Sequence, residues 1–356
     1  MMKNSMIKKG SVVSIVLLFI LINGFSSLAY SATKTSSLIP RGEWLYVGGS
    51  GPGNYTNIQD AIDNASNGDN IFVFNGIYYE NLQVNKSISL LGENQSSTII
   101  DGQETNGHVI SIIAEDVTLC RFTIQNCGGA PNAAEIYVVS DNNHIIENTL
   151  LCIPVHGEEG IWLWQSSGNT VTWNTIATHH YGIWLENSAQ NNISNNYITG
   201  IWNGGIILGN SDNNIIFENN LTENSGGIYL RDSNENKLFG NQIIKNSIGI
   251  ELTDWDSTSS NNTIEKNNFI KNSRRDATFM AAKKSHTKNT WDENYWNRPL
   301  RFPKLILGGK EFLFFPGAPF HFPPMMIARP WFNVDWHPAQ EPYDIKVKGC
   351  GYDPQL

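Results

Sequence analysis

A chain of 356 residues, 40% apolar, 11% aromatic and only 16% charged, holds enough apolar mass for a packed core and too little charge for a disordered tail protein. Its formal charge of −9 argues against nucleic acid and anionic membrane surfaces as partners, and suits carbohydrate, cations or other proteins. Asparagine is the outlier: there are 44, and 26 fall between Asn142 and Asn272, a bias that points to a repeat whose geometry demands Asn.

The first 31 residues have the layout of an export signal. Lys3, Lys8 and Lys9 precede an apolar run over 12–22, and small residues around Ala29 and Ala32 offer cleavage sites. The run is short for a span of about 20 residues, and no later segment is long and apolar enough to cross a bilayer. Secretion or display at the cell surface follows. Residues 58–62 form a short amphipathic segment, read as a helical lid over the end of a stack, within an N-terminal cap over 43–70. Beyond it, β-rich runs at 71–74, 84–91, 109–113 and 117–124 are separated by Gly and Asn turns.

The centre is self-similar. Gly160-Ile161-Trp162-Leu163 recurs as Gly182-Ile183-Trp184-Leu185, Gly205-Ile206-Ile207-Leu208, Gly227-Ile228-Tyr229-Leu230 and Gly249-Ile250-Glu251-Leu252, at spacings of 22 or 23 residues. In the same phase run Asn148, Asn174, Asn196, Asn219, Asn241 and Asn267, and a second file of Asn143, Asn169, Asn191, Asn214, Asn236 and Asn262. Apolar residues at i and i+2 are strand spacing. A 22-residue unit cannot bury its apolar side alone, so the units stack, each strand pairing with its equivalent about 4.8 Å away. Asn suits the corners because it tolerates left-handed backbone and its amide can bond up and down a ladder. The expected fold is all-β: a parallel β-helix over 71–272, with nine or ten coils.

After residue 272 the composition changes. Ten of the 14 prolines lie between Pro299 and Pro354, so 273–356 reads as an irregular Pro- and aromatic-rich C-terminal cap without regular strands. Of the four cysteines, Cys120, Cys127 and Cys152 could bridge outside the cell or remain buried thiols, and Cys350 stands apart. Glycosylation sequons begin at Asn54, Asn64, Asn85, Asn94, Asn192, Asn220 and Asn261.

The stretches 55–62, 68–71, 75–81 and 89–92 resemble the opening of pectinesterase-like and NosD-like right-handed β-helix proteins. The Gly-Ile-x-Leu…Asn coils resemble NosD-like parallel β-helix repeats, and Trp291-Asp292-Glu293-Asn294-Tyr295-Trp296 is similar to the segment that often closes such arrays. The resemblance covers about residues 43–297. It implies a right-handed helix and export, and does not transfer a function, because this fold carries many. The carboxylates of pectinesterases and the Asp and His set of polygalacturonases are missing here.

With Ile and Leu pointing inward, the x position of Gly-Ile-x-Leu points out. Trp162, Trp184 and Tyr229, with His180, Trp202 and Arg231 beside them, form a candidate sugar-binding strip, or else a stack that stabilises the sheet. Glu158 or Glu159 against Glu186 is the weak candidate for a catalytic pair. No metal or cofactor motif is present. Asp212, Asp232, Asp254 and Asp256 carry oxygen ligands for calcium but read first as solvated turn acids. His321, Met325, Met326 and His337 have soft-ligand logic for copper, against packing in the cap. The leading expectation is a non-catalytic β-helix protein at the cell surface that binds an extracellular polysaccharide or glycoprotein, adheres, or serves in the envelope with other envelope proteins. A polysaccharide lyase or glycoside hydrolase is the alternative, and a NosD-like copper-handling protein comes third.

Overall fold

Short β-forming runs between Asn and Gly corners leave each coil's backbone and apolar residues unsatisfied until another coil lies on top. In the computed structural model, which describes residues 42–105, 107–129, 133–152, 159–254, 258–281, 289–313 and 327–345, the chain solves this by winding. The strands form three stacks, two of them joined in a 22-stranded sheet and the third a separate ten-stranded sheet. Pairing is parallel and in register: Ile161 lies on Ile183, then Ile206, Ile228 and Ile250, and Ile176 lies on Ile198, then Leu221, Ile243 and Phe269. These side chains are buried and make one continuous core along the axis. The fold is a right-handed parallel β-helix of about ten turns.

Asparagine plays both parts expected of it, at different positions: Asn126, Asn142, Asn187, Asn195, Asn210, Asn213, Asn261 and Asn297 take left-handed backbone, with φ between 46° and 64°. Along the first ladder the left-handed position belongs to the residue before the ladder Asn, of varied type: Glu147, Trp173, Asn195, Glu218 and Lys266 all have φ between 53° and 60°. The ladder asparagines themselves contribute amides. Oδ1 of Asn196 accepts from the backbone N and the Nδ2 of Asn174, each at 3.0 Å, while its own Nδ2 donates to the Val171 carbonyl (2.9 Å) and to Oδ1 of Asn219 (3.0 Å). The same pattern runs through Asn148, Asn174, Asn219, Asn241 and Asn267, and through the file from Asn143 to Asn262, all buried. Each corner satisfies in the interior groups that water would otherwise have to reach.

Both ends are closed. The helix α1 (Ile58–Asn64) buries Ile58, Ala61 and Ile62. The Glu80 carboxylate accepts from the backbone N of Ile58 and Gln59, at 2.8 and 2.9 Å, which supplies the cap that the Asn57 side chain does not. At the other end, stacked strands continue past residue 272 through Arg275–Ala281, Thr290–Asp292 and Tyr295–Trp296. The expectation of no regular strands in this region fails. Lys304–Leu313 and Ile327–Asp335 pair antiparallel over their length. Among the described residues, the second of these pairs with the stack through Asp335 beside Trp291, and Pro330 lies on it away from that pair. Its last residue, Asp335, ends the Asn ladder: Oδ2 accepts from the N and Nδ2 of Asn294 and from Nε1 of Trp296. No described helix is long and apolar enough to cross a membrane. The expected export segment lies outside the described residues.

Candidate functional site

The outward file of the long sheet reads Tyr137, Trp162, Trp184, Ile207, Tyr229, Glu251 in successive coils. Its aromatic rings stack on one another. His108 lies 4.1 Å from Tyr137, Tyr137 4.9 Å from Trp162, and Trp162 5.6 Å from Trp184 at an interplanar angle of 19°. Both faces of Trp162 are thus covered and it is only 8% exposed, which leaves no open face there for a sugar ring. The Tyr229 ring folds back over Gly226, where an added Cβ would lie 2.1 Å from it. His180 packs edge-on against Tyr181, and Trp202 is exposed.

Two carboxylates on this face, Glu186 and Glu251, remain partly accessible. The Glu186 carboxylate lies over Gly209, whose missing side chain makes the room. It accepts from Nε1 of Trp184 at 3.1 Å. Burial raises its pKa, partly offset by Trp184, Asn210 and the Arg231 charge. Glu251 is raised for the same first reason and also feels Arg231.

Of the expected catalytic candidates, Glu159 and Glu186 are not brought together. Glu159 pairs with Tyr181, and Glu186 lies five residues further along the neighbouring strand, so their Cα atoms are about 16 Å apart in the strand direction. Glu159 is also fully buried. Glu158 lies outside the described residues. So do Asp256, His321, Met325 and Met326. His337 is an exposed ring whose Nδ1 lies 2.8 Å from Asp292. Asp212 and Asp254 act as backbone acceptors in turns, from Asn234 and Ser259.

The interior holds a cluster that the sequence reading did not assemble. Counting from the strand register, Glu135 occupies the place taken by Gly160, Gly182, Gly205, Gly227 and Gly249 in later coils, a file that points into the core: a Cβ on Gly160 would meet Ile176 at 2.7 Å. Cys127 and His179 occupy a corner that later coils fill with Ile201, Asn224 and Asn246. Cys152 lies one residue past its strand, at the position that Asn126 and Thr178 hold in the neighbouring coils. One ligand atom each from Cys127, Glu135 and Cys152 lies within 4.8 Å of the others, and Nε2 of His179 is 3.7 Å from Oε1 of Glu135. All four residues are buried, and no disulfide joins the two thiols.

Chemically the cluster is incomplete as it stands. Oε1 of Glu135 accepts from the backbone N of Cys127 at 3.3 Å, but Oε2 of Glu135 and both ring nitrogens of His179 have no hydrogen-bond partner. Such groups are costly in an apolar interior. Burial raises the Glu135 pKa, with His179 pulling it back. The Cys127 thiol is raised by its hydrogen bond with Cys152, then by burial and by the Glu135 charge. Two sulfurs and a carboxylate around one point, with an imidazole beside the carboxylate, are a ligand set for a soft or borderline cation. The signal in the sequence was Glu135-Ile136-Tyr137-Val138, which follows Gly-Ile-x-Leu with Glu for the glycine and Val for the leucine, and so drops out of any pattern keyed on Gly.

The sequence pattern of the NosD family, described as periplasmic copper-binding protein (NosD), matches residues 62–309. No curated protein sequence matches the chain. Among solved structures, a polygalacturonase from Erwinia carotovora ssp. carotovora is 11% identical, over 81% of this chain and 95% of its own, with a TM-score of 0.49. An alginate lyase from Paenibacillus sp. str. FPU-7 is 13% identical over 71% and 95%, at 0.39. The periplasmic alginate epimerase AlgG is 17% identical over 62% of this chain, at 0.34, and this chain spans about half of it, 52%. At these identities the likeness is one of fold alone. The family match covers more than half of the sequence: the chain belongs to the NosD family.

Proposed function

We propose that this chain is an extracytoplasmic copper-binding β-helix protein that holds one copper(I) ion inside the solenoid, between Cys127, Cys152, Glu135 and His179. The observation that carries the reading is the juxtaposition of two buried thiols with a carboxylate and an imidazole whose remaining polar atoms have no partner. Thiolate sulfur selects copper(I), with zinc as its main competitor. The surrounding Ile and Leu residues exclude water and hold the donors in place. The ligating thiols must lose their protons as the ion enters, so affinity rises with pH. The family description and an export segment agree with a site that acts outside the cytoplasm.

Anaerobic titration against a copper(I)-selective chelator tests this. One equivalent per chain is expected, with a thiolate-to-copper absorption band in the ultraviolet and a rise in melting temperature. Cys127→Ser and Cys152→Ser should each abolish the band and weaken binding by about two orders of magnitude or more. A wild-type chain that cannot compete with the chelator, or a Cys127→Ser variant that binds like wild type, overturns the reading. Tight zinc binding with no copper retention would reassign the ion.

A second reading rests on Glu186, whose raised carboxyl lies over Gly209 beside the charge of Arg231 on an outward face. That arrangement suits recognition or cleavage of an extracellular polysaccharide. Release of reducing sugar or unsaturated product that Glu186→Gln abolishes would establish it. The absence of both release and binding across a glycan array would end it.

A further inference from the structure

The global charge of −9 hides an asymmetry. Among the described residues of 271–313, seven Lys and Arg stand against four Asp and Glu, a net +3 in a chain of net −9. The largest exposed apolar side chains gather at the same end. In the closing strand pair Ile306 faces the core, so Leu305 and Leu307, with Phe332 opposite Leu307, face out. Leu307 is 64% exposed and Phe332 53%. Phe302 and Trp336 flank the base of the pair at 79% and 65%, and Met280, which pairs with Gly309, extends the patch onto the next coil. Exposed apolar residues elsewhere are scattered, so a contiguous patch needs a partner.

Basic side chains rim this patch. Arg298 and Arg301 are exposed just before it. Arg275 donates through Nη1 to Oγ1 of Thr278, whose hydroxyl in turn donates to the Leu307 carbonyl, so that guanidinium stands at the patch edge. Lys304 lies over the Trp296 ring. The thirteen residues that join the two strands, 314–326, lie outside the described structure, and their sequence carries no acid, Lys or Arg. An apolar, Trp-bearing face ringed by Arg matches a surface that is apolar below and anionic above.

We propose that the C-terminal end of the solenoid docks on an anionic lipid surface. Leu305, Leu307, Phe332 and Trp336 enter the boundary between headgroups and acyl chains, and Arg275, Arg298 and Arg301 meet the lipid phosphates. The long axis of the solenoid then carries the interior cluster and the outward file away from the bilayer without a transmembrane segment in the described chain. The surface is independent of the copper reading, since it shares no residue with that site.

Co-sedimentation of the full chain with vesicles of pure phosphatidylglycerol, against pure phosphatidylcholine, tests the proposal. Binding to the first and about tenfold weaker binding to the second are expected, with a steep loss on raising salt. Leu307→Ser with Phe332→Ser, and separately Arg298→Glu with Arg301→Glu, should each cost about tenfold or more in partition at an unchanged melting temperature. The apolar run over 12–22 is the same in every variant, so their differences report on this end of the molecule. Failure of the wild-type chain to bind phosphatidylglycerol overturns the proposal, as does equal binding by wild type and both double variants. A wild-type dimer that the Leu307→Ser, Phe332→Ser variant makes monomeric, without lipid binding, would assign the patch to a second copy of the chain.

Discussion

The same corner of the β-helix is built in two ways. In the later coils it holds Asn224 and Asn246, and every bond closes: Asn224 donates from N to Oδ1 of Asn246 and from Nδ2 to the Ile198 carbonyl, while its Oδ1 accepts from the N of Ile201. In the earlier coils the corner holds Cys127 and His179, the facing glycine is Glu135, and buried polar atoms have no partner. Both versions of the corner are buried, and they differ in the chemistry of the side chains that fill it. A ladder that satisfies itself stabilises the fold and has nothing left to offer a ligand. A corner that does not satisfy itself lowers the stability of the empty fold and keeps its donors for something else.

The largest effect should come from breaking the closed ladder. Asn196→Ala orphans the Val171 carbonyl and the Asn174 N–H, both buried. Each such group costs about 1–3 kcal/mol, so a loss of about 4 kcal/mol in unfolding free energy is expected by denaturant titration. His179→Ala in the metal-free protein removes a ring whose nitrogens make no hydrogen bond, and should cost only its packing, about half as much or less. Equal losses at the two positions would erase the contrast.

How far the sequence shows this follows from what each feature needs. The stack, its register and two Asn files are legible because they repeat, and a repeat with a fixed period leaves little freedom: Asn174 above Asn196 above Asn219 can be counted off directly. The third corner was harder, since its Asn224 and Asn246 give way to Ile201, His179 and Cys127 in the earlier coils. The outward direction of Trp162 could be derived from alternation, but its burial could not, because that depends on how His108 and Tyr137 stack upon it. The metal cluster escaped for the opposite reason to the ladder. A site is where the repeat is broken, so Glu135 in a glycine file is invisible to a pattern built on glycine. The closing strand pair was missed because proline frequency speaks about the interior of a sheet, and Pro330 lies on a strand that, among the described residues, pairs along its length with one neighbour only.

A medium effect is expected where the glycine file itself is filled. A Cβ at Gly182 would lie 2.4 Å from the Gly205 carbonyl oxygen and 2.9 Å from Ile198. Backbone of the next coil cannot give way as a side chain could, so Gly182→Ala should cost about 1–3 kcal/mol. Glu135 shows that a longer side chain can occupy this file in an earlier coil, but at Gly182 the Gly205 carbonyl and Ile198 already crowd the first carbon, so Gly182→Glu should be worse than Gly182→Ala. Thermal and denaturant unfolding of the two variants would check the order. If both fold as stably as wild type, the two kinds of coil are interchangeable and the contrast is one of composition only.

The smallest effect concerns the empty site and runs against intuition. Burial raises the Glu135 pKa in the folded, metal-free protein, so the folded chain holds a proton that the unfolded chain releases at the ordinary carboxylate pKa. Stability from this group is therefore fully present below the unfolded pKa and is lost as pH rises toward and through the folded one. Glu135→Gln, with the same shape and no charge, should raise the melting temperature of the metal-free protein at neutral pH, narrow to no difference at acid pH, and weaken copper binding at every pH. The gain is bounded because the amide must still find partners where the carboxylate had one, the N–H of Cys127. A metal-free Glu135→Gln variant that melts below wild type at neutral pH would show that the carboxylate is well solvated or paired in the folded chain, and would remove the difference between the two corners at its source.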